Sequence, residues 1–509
     1  MISKAYSWEA AYSEEALLLS VLVIAISCLI LLTSKLKKEK VSLPPGPWGL
    51  PIVGNLPFLD PDLHSCFAKL SLKYGPIMKV QLGSQIGIVF SSPEAAKEVL
   101  QEQDTTFAHR DVPSTVFIST YGATDVAFAA YGEHWRMMRK LCVSELLSPK
   151  RLEGLYGLRQ KAVQDMVKEV RSKVGISSID ISELVLVAKF NMMTSMMWGD
   201  TFDEEERRHS SNTFRKLAHK MARLGGEANI SDLFPVLAGF DIQGKQRKMK
   251  EIHLEFDQIF ESIIDKRRKM ASEGKENKDF LQVLLQRIDQ EDDEKTPFTI
   301  THLKALFLDM IIAGTTATSV AVEWAMTELL NNPSIMKRLQ EELERIVGLS
   351  NAIEETHLPE LPYLEAVVKE VLRLHPTGPL LVPRCPMASS TVGGYLIPAG
   401  SKIFVNVWAI QRDPKYWENP LEFRPERFLM NSSNNWDYNG RDFRYFPFGA
   451  GRRICVGISV AEKALSTILA SLVHSFNWEL PRGIKLDLGE EFGIELKKKV
   501  KLEAIPLLR

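Results

Sequence analysis

The chain has 509 residues, 45% of them apolar, with 63 Lys plus Arg against 64 Asp plus Glu. That length allows a large buried core and excludes a small binding module, while the near-balance of charge excludes a strong field for nucleic acid or an acidic polymer. The five cysteines, Cys28, Cys66, Cys142, Cys385 and Cys455, are odd in number and scattered; they read as reduced thiols, not a disulfide framework.

In chain order, residues 1–15 are acidic near their end, with Glu9, Glu14 and Glu15. Residues 16–34 carry no charge, and about 19 residues at about 1.5 Å rise nearly match a hydrocarbon core of about 30 Å. This predicts one transmembrane anchor. Lys35, Lys37, Lys38 and Lys40 follow it, which by the positive-inside rule puts residues 1–15 in the lumen and the rest in the cytosol. The run is long for a cleaved signal peptide, whose n-region would also be basic. Residues 35–55 include Leu43-Pro44-Pro45-Gly46-Pro47, Pro51 and Gly54, a basic and proline-rich stiff hinge. Residues 56–509 are expected to form one mainly α domain with small β-sheets at its edge. Helical spacing is clear at Leu152 to Val170, Leu306 to Met326, Ser334 to Val347, Leu364 to Leu374 and Ile458 to Leu472. β-rich runs stand at Ile77 to Leu82, Ile86 to Phe90, Ile403 to Val407 and Ile494 to Leu502. Asp289 to Lys295 and Ser272 to Lys278 are expected loops, and no internal repeat is present.

Between Phe446 and Gly457 the chain reads Phe-Pro-Phe-Gly-Ala-Gly-Arg-Arg-Ile-Cys-Val-Gly and then enters a helix. Gly449, Gly451 and Gly457 let the backbone turn and pass close to a flat ligand. The thiolate of Cys455 would be stabilised by a metal and by the positive end of the following helix.

This loop resembles the haem-binding signature of the cytochrome P-450 superfamily, F-x-x-G-x-R-x-C-x-G, met by Phe448, Gly451, Arg453, Cys455 and Gly457. Two further motifs lie upstream in the family's order. Glu370 and Arg373 give E-x-x-R on one helix face, and Pro425-Glu426-Arg427-Phe428 resembles P-E-R-F, whose arginine completes a structural network. Trp135 and Arg139 match W-x-x-x-R, whose residues contact a haem propionate; Arg384 is a second propionate candidate by position, and Arg453 is placed to pair with a haem carboxylate. The likeness covers nearly the whole chain and is nearest to plant microsomal members, among them those acting on terpenoids or flavonoids. It implies the P-450 fold behind one transmembrane helix and heme b with Cys455 as the iron ligand. It also implies residence in the endoplasmic reticulum membrane with the catalytic domain cytosolic. Haem held by a thiolate favours cleavage of a bound O–O bond. No G-x-G-x-x-G follows a strand, so electrons must come from outside; the resemblance implies the NADPH-cytochrome P-450 reductase. Membrane lipid and an apolar small molecule are the other partners, and nucleic acid is not expected.

One departure stands out. Where the family has A-G-x-D/E-T, this chain has Ala313-Gly314-Thr315-Thr316-Ala317, so Thr316 replaces the acid and Ala317 the threonine of the usual proton relay. Thr318 lies about 100° further round the helix and cannot take over. Ala313 and Gly314 are small enough to let dioxygen and substrate approach. An ordered water, Thr316 or a substrate hydroxyl would have to supply the proton. The expected function is therefore hydroxylation of a sesquiterpenoid or flavonoid with dioxygen, poorly coupled to NADPH, and restoring Asp and Thr at 316 and 317 should raise coupling. The alternative is a haem-thiolate isomerase or dehydratase that needs no dioxygen. A third possibility is a haem-binding membrane scaffold without turnover. By family position the pocket draws on 112–128, 310–317, 377–382 and 492–494. Phe117, Ile118, Val126, Phe128, Leu380, Leu381 and Ile494 would supply apolar lining, and Thr115, Ser119 and Thr120 would orient hydroxyls.

Overall fold

The computed structural model describes residues 42–201, 204–274, 279–290, 297–429 and 436–509. The expected lumenal segment, the anchor at 16–34 and the first part of the hinge lie outside these residues. From residue 42 onward the proline-rich segment is laid on the body: Lys79 N donates to Pro45 O at 2.9 Å, and a Cβ on Gly46 would fall 2.0 Å from the Lys79 carbonyl.

The main helices are α1 (Leu63–Tyr74), α2 (Glu133–Leu141), α3 (Tyr156–Ser172), α4 (Ile181–Trp198) and α5 (Glu204–Gly226). They continue with α6 (Lys245–Ser272), α7 (Ile300–Asn331), α8 (Pro333–Val347), α9 (Pro362–Leu374) and α10 (Ile458–Ser475). Their ends follow local chemistry. α7 opens on a capping box, with Thr299 Oγ1 accepting from His302 N and His302 Nδ1 from Thr299 N; α8 and α9 each begin on a proline, which needs no backbone donor there. α7 is apolar round most of its circumference because most of it is enclosed. It is long and apolar enough to cross a membrane, but 67% of its most apolar window is buried in the protein. Around it one core joins α3, α4, α8, α9 and α10, and a second joins α2, α4, α5 and α6.

The strands are β1 (Ile77–Leu82), β2 (Gln85–Phe90), β3 (His109–Arg110), β4 (Ile179–Asp180), β5 (Arg384–Cys385) and β6 (Ser390–Val392). After them come β7 (Tyr395–Ile397), β8 (Lys402–Val405), β9 (Phe476–Glu479), β10 (Glu490–Glu491), β11 (Lys497–Lys498) and β12 (Glu503–Leu508). The largest sheet has the order β1-β2-β8-β5-β3, and the others are β4-β12-β9, β6-β7 and β10-β11. The mainly helical body with small sheets is as expected. Three boundaries differ. The helix expected over Leu152 to Val170 is broken at Leu155, between a short helix Pro149–Gly154 and α3. The run at 403–407 stops at Val405, because Asn406 caps a helical turn by accepting from Ala409 N. Of 494–502 only Lys497 and Lys498 pair as strand, since Leu496 spends its backbone groups on Thr377 O and the Trp324 indole instead.

The sheet matters to function through one register. β3 pairs antiparallel with β5, Arg110 opposite Arg384, and so two arginines from distant segments stand side by side.

Candidate functional site

The cysteine loop is folded by its own backbone. Cys455 N donates to Phe448 O at 3.1 Å and Ile454 N to Gly451 O at 3.0 Å. Gly451 has φ +70°, and a Cβ there would lie 2.0 Å from the Leu100 carbonyl. Its smallness thus serves close packing on the protein itself. Gly449, at φ +75°, would meet only Leu381, at 3.7 Å. Gly457 caps α10, and its N–H donates to Cys455 Sγ at 3.3 Å.

The Cys455 thiol lies deep in the fold yet keeps accessible surface, so it borders an internal space. Arg110 does the same, and so does the stretch of α7 where Ala313 is exposed between the half-buried Ile312 and Gly314. Burial pushes the Cys455 thiol up, against the lowering influence of the Gly457 amide and Arg139.

Around the loop stand Arg110, Arg139, Arg384 and Arg453. Desolvation is the largest cause lowering the pKa of each, to about 10 for Arg453. Arg384 pairs with Asp104 at 3.0 Å and donates to Ala450 O at 2.8 Å. Arg139 donates to Ile454 O at 2.9 Å, next to the cysteine. Arg453 donates to the carbonyls of Ala108, Val126 and Ala129 at 2.8, 3.2 and 2.5 Å, leaving part of its five-donor fork free. Trp135 has a single donor, which goes to Val126 O at 3.1 Å, and its ring lies beneath the Arg453 guanidinium at 4.6 Å.

The nearby acids do not balance this charge. Burial pushes the Asp125 and Asp309 carboxyls up, and Asp125 raises Asp309 further, which disfavours two negative charges there. Cation excess beside an accessible buried thiol fits a ligand that brings two carboxylates and a metal in need of a soft donor, as haem does.

The Glu370 network forms in full. Arg373 donates to Glu370 at 2.7 and 2.9 Å, Arg427 Nε at 2.9 Å and Arg424 N at 2.8 Å. The remaining donors of both arginines reach the carbonyls of Gln411, Glu418, Asn419, Pro420 and Glu422.

On α7 a Cβ added to Gly314 would approach Met193 of α4 to 3.1 Å. This glycine therefore permits helix packing, whereas Ala313 alone presents the open side. Thr316 Oγ1 hydrogen-bonds to the buried Glu495, and Ala317 is partly exposed.

In the expected pocket, Phe117 and Ile494 are exposed, while Leu380 and Val126 are packed into cores. Ser119 and Thr120 spend their hydroxyls on Val116 O. The buried Thr115 hydroxyl has no hydrogen-bond partner among the described residues and is the one free to orient a ligand. Arg110, Asp104 and Glu495 were not singled out from the sequence. The one signal for Glu495 was a lone acid at the head of a lysine-rich run read as strand.

The family model described as Cytochrome P450 matches residues 44–502. A flavonoid 3',5'-hydroxylase of Campanula medium is 38% identical over 91% of this chain and 91% of its own length. Salviol synthase of Salvia pomifera is 39% identical, over 96% and 97% respectively. Among solved structures, a zebra fish cytochrome P450 with progesterone superposes with a TM-score of 0.75 at 28% identity, covering 87% of this chain and 99% of the other.

Proposed function

The chain belongs to the cytochrome P450 family and is a haem-thiolate monooxygenase, and from that premise we propose that it hydroxylates an apolar plant secondary metabolite, a sesquiterpenoid or flavonoid. The observation that carries the reading is the accessible, deeply placed thiol of Cys455 beside two buried arginines, Arg384 and Arg453, and two half-buried ones, Arg110 and Arg139. Cys455 would hold the iron, and Arg110, Arg139, Arg384 and Arg453 are the candidates to face the two propionates. Haem bound in this way supplies oxygen activation. The chain's residues would bind and orient the substrate. Phe117 and Ile494 offer apolar contact from opposite ends of the sequence, and the unpartnered Thr115 hydroxyl would take one substrate hydroxyl. Glu370, Arg373 and Arg427 hold the fold and do not react.

Electrons are proposed to come from NADPH through a membrane-bound reductase. The proposed layout is a lumenal segment 1–15, an anchor 16–34, a hinge 35–55 and one catalytic domain 56–509 in the endoplasmic reticulum membrane. Supporting lipid contact, the segments around residues 53 and 233 both pack on the β1–β2 turn, through Gly83 N to Val53 O and Ser84 N to Leu233 O. They expose Ile52, Phe58, Val236 and Phe240, an apolar rim close behind the proposed anchor.

The Thr316-Ala317 pair favours a second reading, rearrangement of an already oxygenated substrate without dioxygen. Screening flavones and sesquiterpenes for a shift of the Soret band, followed by turnover with NADPH and reductase, tests the first reading. Product formed under nitrogen without reductase would replace it with the second.

A further inference from the structure

α7 lacks the relay acid at 316, yet that position does not lack a carboxylate. Thr316 Oγ1 hydrogen-bonds to Glu495 Oε1 and lies 3.0 Å from the Ile312 carbonyl. Glu495 is buried and comes from the loop between β10 and β11. Its neighbour fixes it there: Leu496 N donates to Thr377 O at 2.9 Å, and Leu496 O accepts from the Trp324 indole at 2.9 Å. The other carboxylate oxygen, Oε2, is 3.7 Å from Lys497 Nζ, whose side chain is 43% exposed. Buried hydroxyl, buried carboxyl and solvent-reaching ammonium therefore stand in sequence.

A hydroxyl carries one proton. Thr316 cannot donate to Ile312 O and to Glu495 at once. Both contacts are satisfied together only when Glu495 is protonated and donates to Thr316, which then donates to Ile312. When Glu495 is ionised, Thr316 turns its proton to the carboxylate. The pair thus has two hydrogen-bonded states that differ by one proton on Glu495 Oε1. Thr316, Ala313 and Ala317 are spaced i+3, i and i+4, so the hydroxyl sits about 60° from the accessible Ala313 side of the helix.

We propose that Glu495, acting through Thr316, takes the place of the acid absent from α7, as a proton-supplying positioning residue for the monooxygenase reaction proposed above, on which this inference rests. The Glu495 Oε1 proton passes to Thr316 Oγ1 as Thr316 releases its own to the reduced oxygen of the monooxygenase reaction on the side of Ala313 and Ala317, so that one proton leaves Glu495 and one reaches oxygen. Glu495 is left as a carboxylate facing the Lys497 ammonium, and it regains its proton from water at that exposed end.

The test compares holoproteins of wild type, Glu495→Gln, Glu495→Asp, Thr316→Val and Thr316→Ser, each normalised to its carbon-monoxide difference spectrum, with NADPH and reductase. Gln keeps the shape and a hydrogen bond to Thr316 but cannot release a proton, so a merely structural role would leave it like wild type. A positioned acid contributes on the order of 10²-fold. Peroxide released per NADPH should therefore rise in Glu495→Gln and Thr316→Val, with a larger solvent deuterium isotope effect, and Glu495→Asp and Thr316→Ser should recover part of the wild-type ratio. Independently of turnover, infrared difference spectra should contain a carboxylic-acid band that is missing in Glu495→Gln and shifted in Thr316→Val. An unchanged peroxide ratio and isotope effect in Glu495→Gln, or spectra with no such band, overturn the inference. Wild type that oxidises no NADPH with reductase instead overturns the monooxygenase reading beneath it.

Discussion

Consider restoring the family's usual pair with Thr316→Asp and Ala317→Thr. From the motif alone this should improve coupling. The position, however, faces Glu495 at hydrogen-bonding distance, so the introduced carboxylate meets a buried one. At about 4 Å and an effective dielectric of about 20, two like charges repel by about 4 kcal/mol, equivalent to about 3 pKa units. That exceeds the about 2.7 kcal/mol that a hundredfold gain from a general acid represents. One of the two carboxyls must then stay protonated or the pair must separate. The double variant is expected to couple no better than wild type and to lose up to about 4 kcal/mol of stability at neutral pH. The loss fades on acidification, because a carboxyl with a raised folded-state pKa contributes stability below its unfolded pKa and loses it as pH rises. Adding Glu495→Thr should remove both penalties and raise product formed per NADPH. Peroxide yield and urea midpoints at pH 7 and pH 5 measure the two effects. Better coupling at unchanged stability in the double variant, with Glu495 in place, would refute the reasoning.

Three further outcomes follow from the same geometry. Cys455→Ala should abolish the reduced, carbonyl-bound absorption maximum typical of sulfur ligation, which a difference spectrum reads directly; a retained maximum would remove the basis of the proposed site. Glu370→Ala leaves two buried guanidiniums, Arg373 and Arg427, without their carboxylate, at a cost of about 3–5 kcal/mol, measurable as a lowered urea midpoint of the carbonyl-binding form. Asp309 is raised by burial and by Asp125, so wild type should lose stability as pH rises above the unfolded carboxyl range near 4, at up to about 1.4 kcal/mol per pH unit for one proton. Asp309→Asn, which keeps an oxygen for the Val126 amide, should flatten that dependence in a series of denaturation curves.

The long helices were legible because their apolar period is long and their ends carry caps or prolines: α7, α8, α9 and α10 all contain the spans read from sequence. The Glu370 triad was legible too, since E-x-x-R puts both groups on one helix face and burial then demands a further partner. What the sequence hid was long-range placement. Arg110 becomes a neighbour of Arg384 only through the β3–β5 register, and no local pattern around His109-Arg110 announces a two-residue strand. Gly314 was read as room above a cofactor, but which side of a helix a glycine opens depends on its packing partner, here Met193. Glu495 was invisible as a partner of Thr316 because the two are 179 residues apart. Only the loop held by Thr377 and Trp324 brings them together.

The same distinction between local and distant charge bears on how the site is stabilised. Arg110, Arg384 and Arg453 repel one another, Asp104 divides its carboxylate between Arg384 and Arg452, and burial pushes the Asp125 and Asp309 carboxyls up, against their offering two charges. Such a cluster is costly in isolation, because buried cations without partners oppose folding. It becomes favourable when a dianionic group is bound, and a group that binds only the folded chain adds its binding free energy to stability. On the proposed placement, arginines that look over-provided for fold stability alone would be accounted for by the carboxylates of the haem, and binding of the group through Cys455 would offset the cost of their burial.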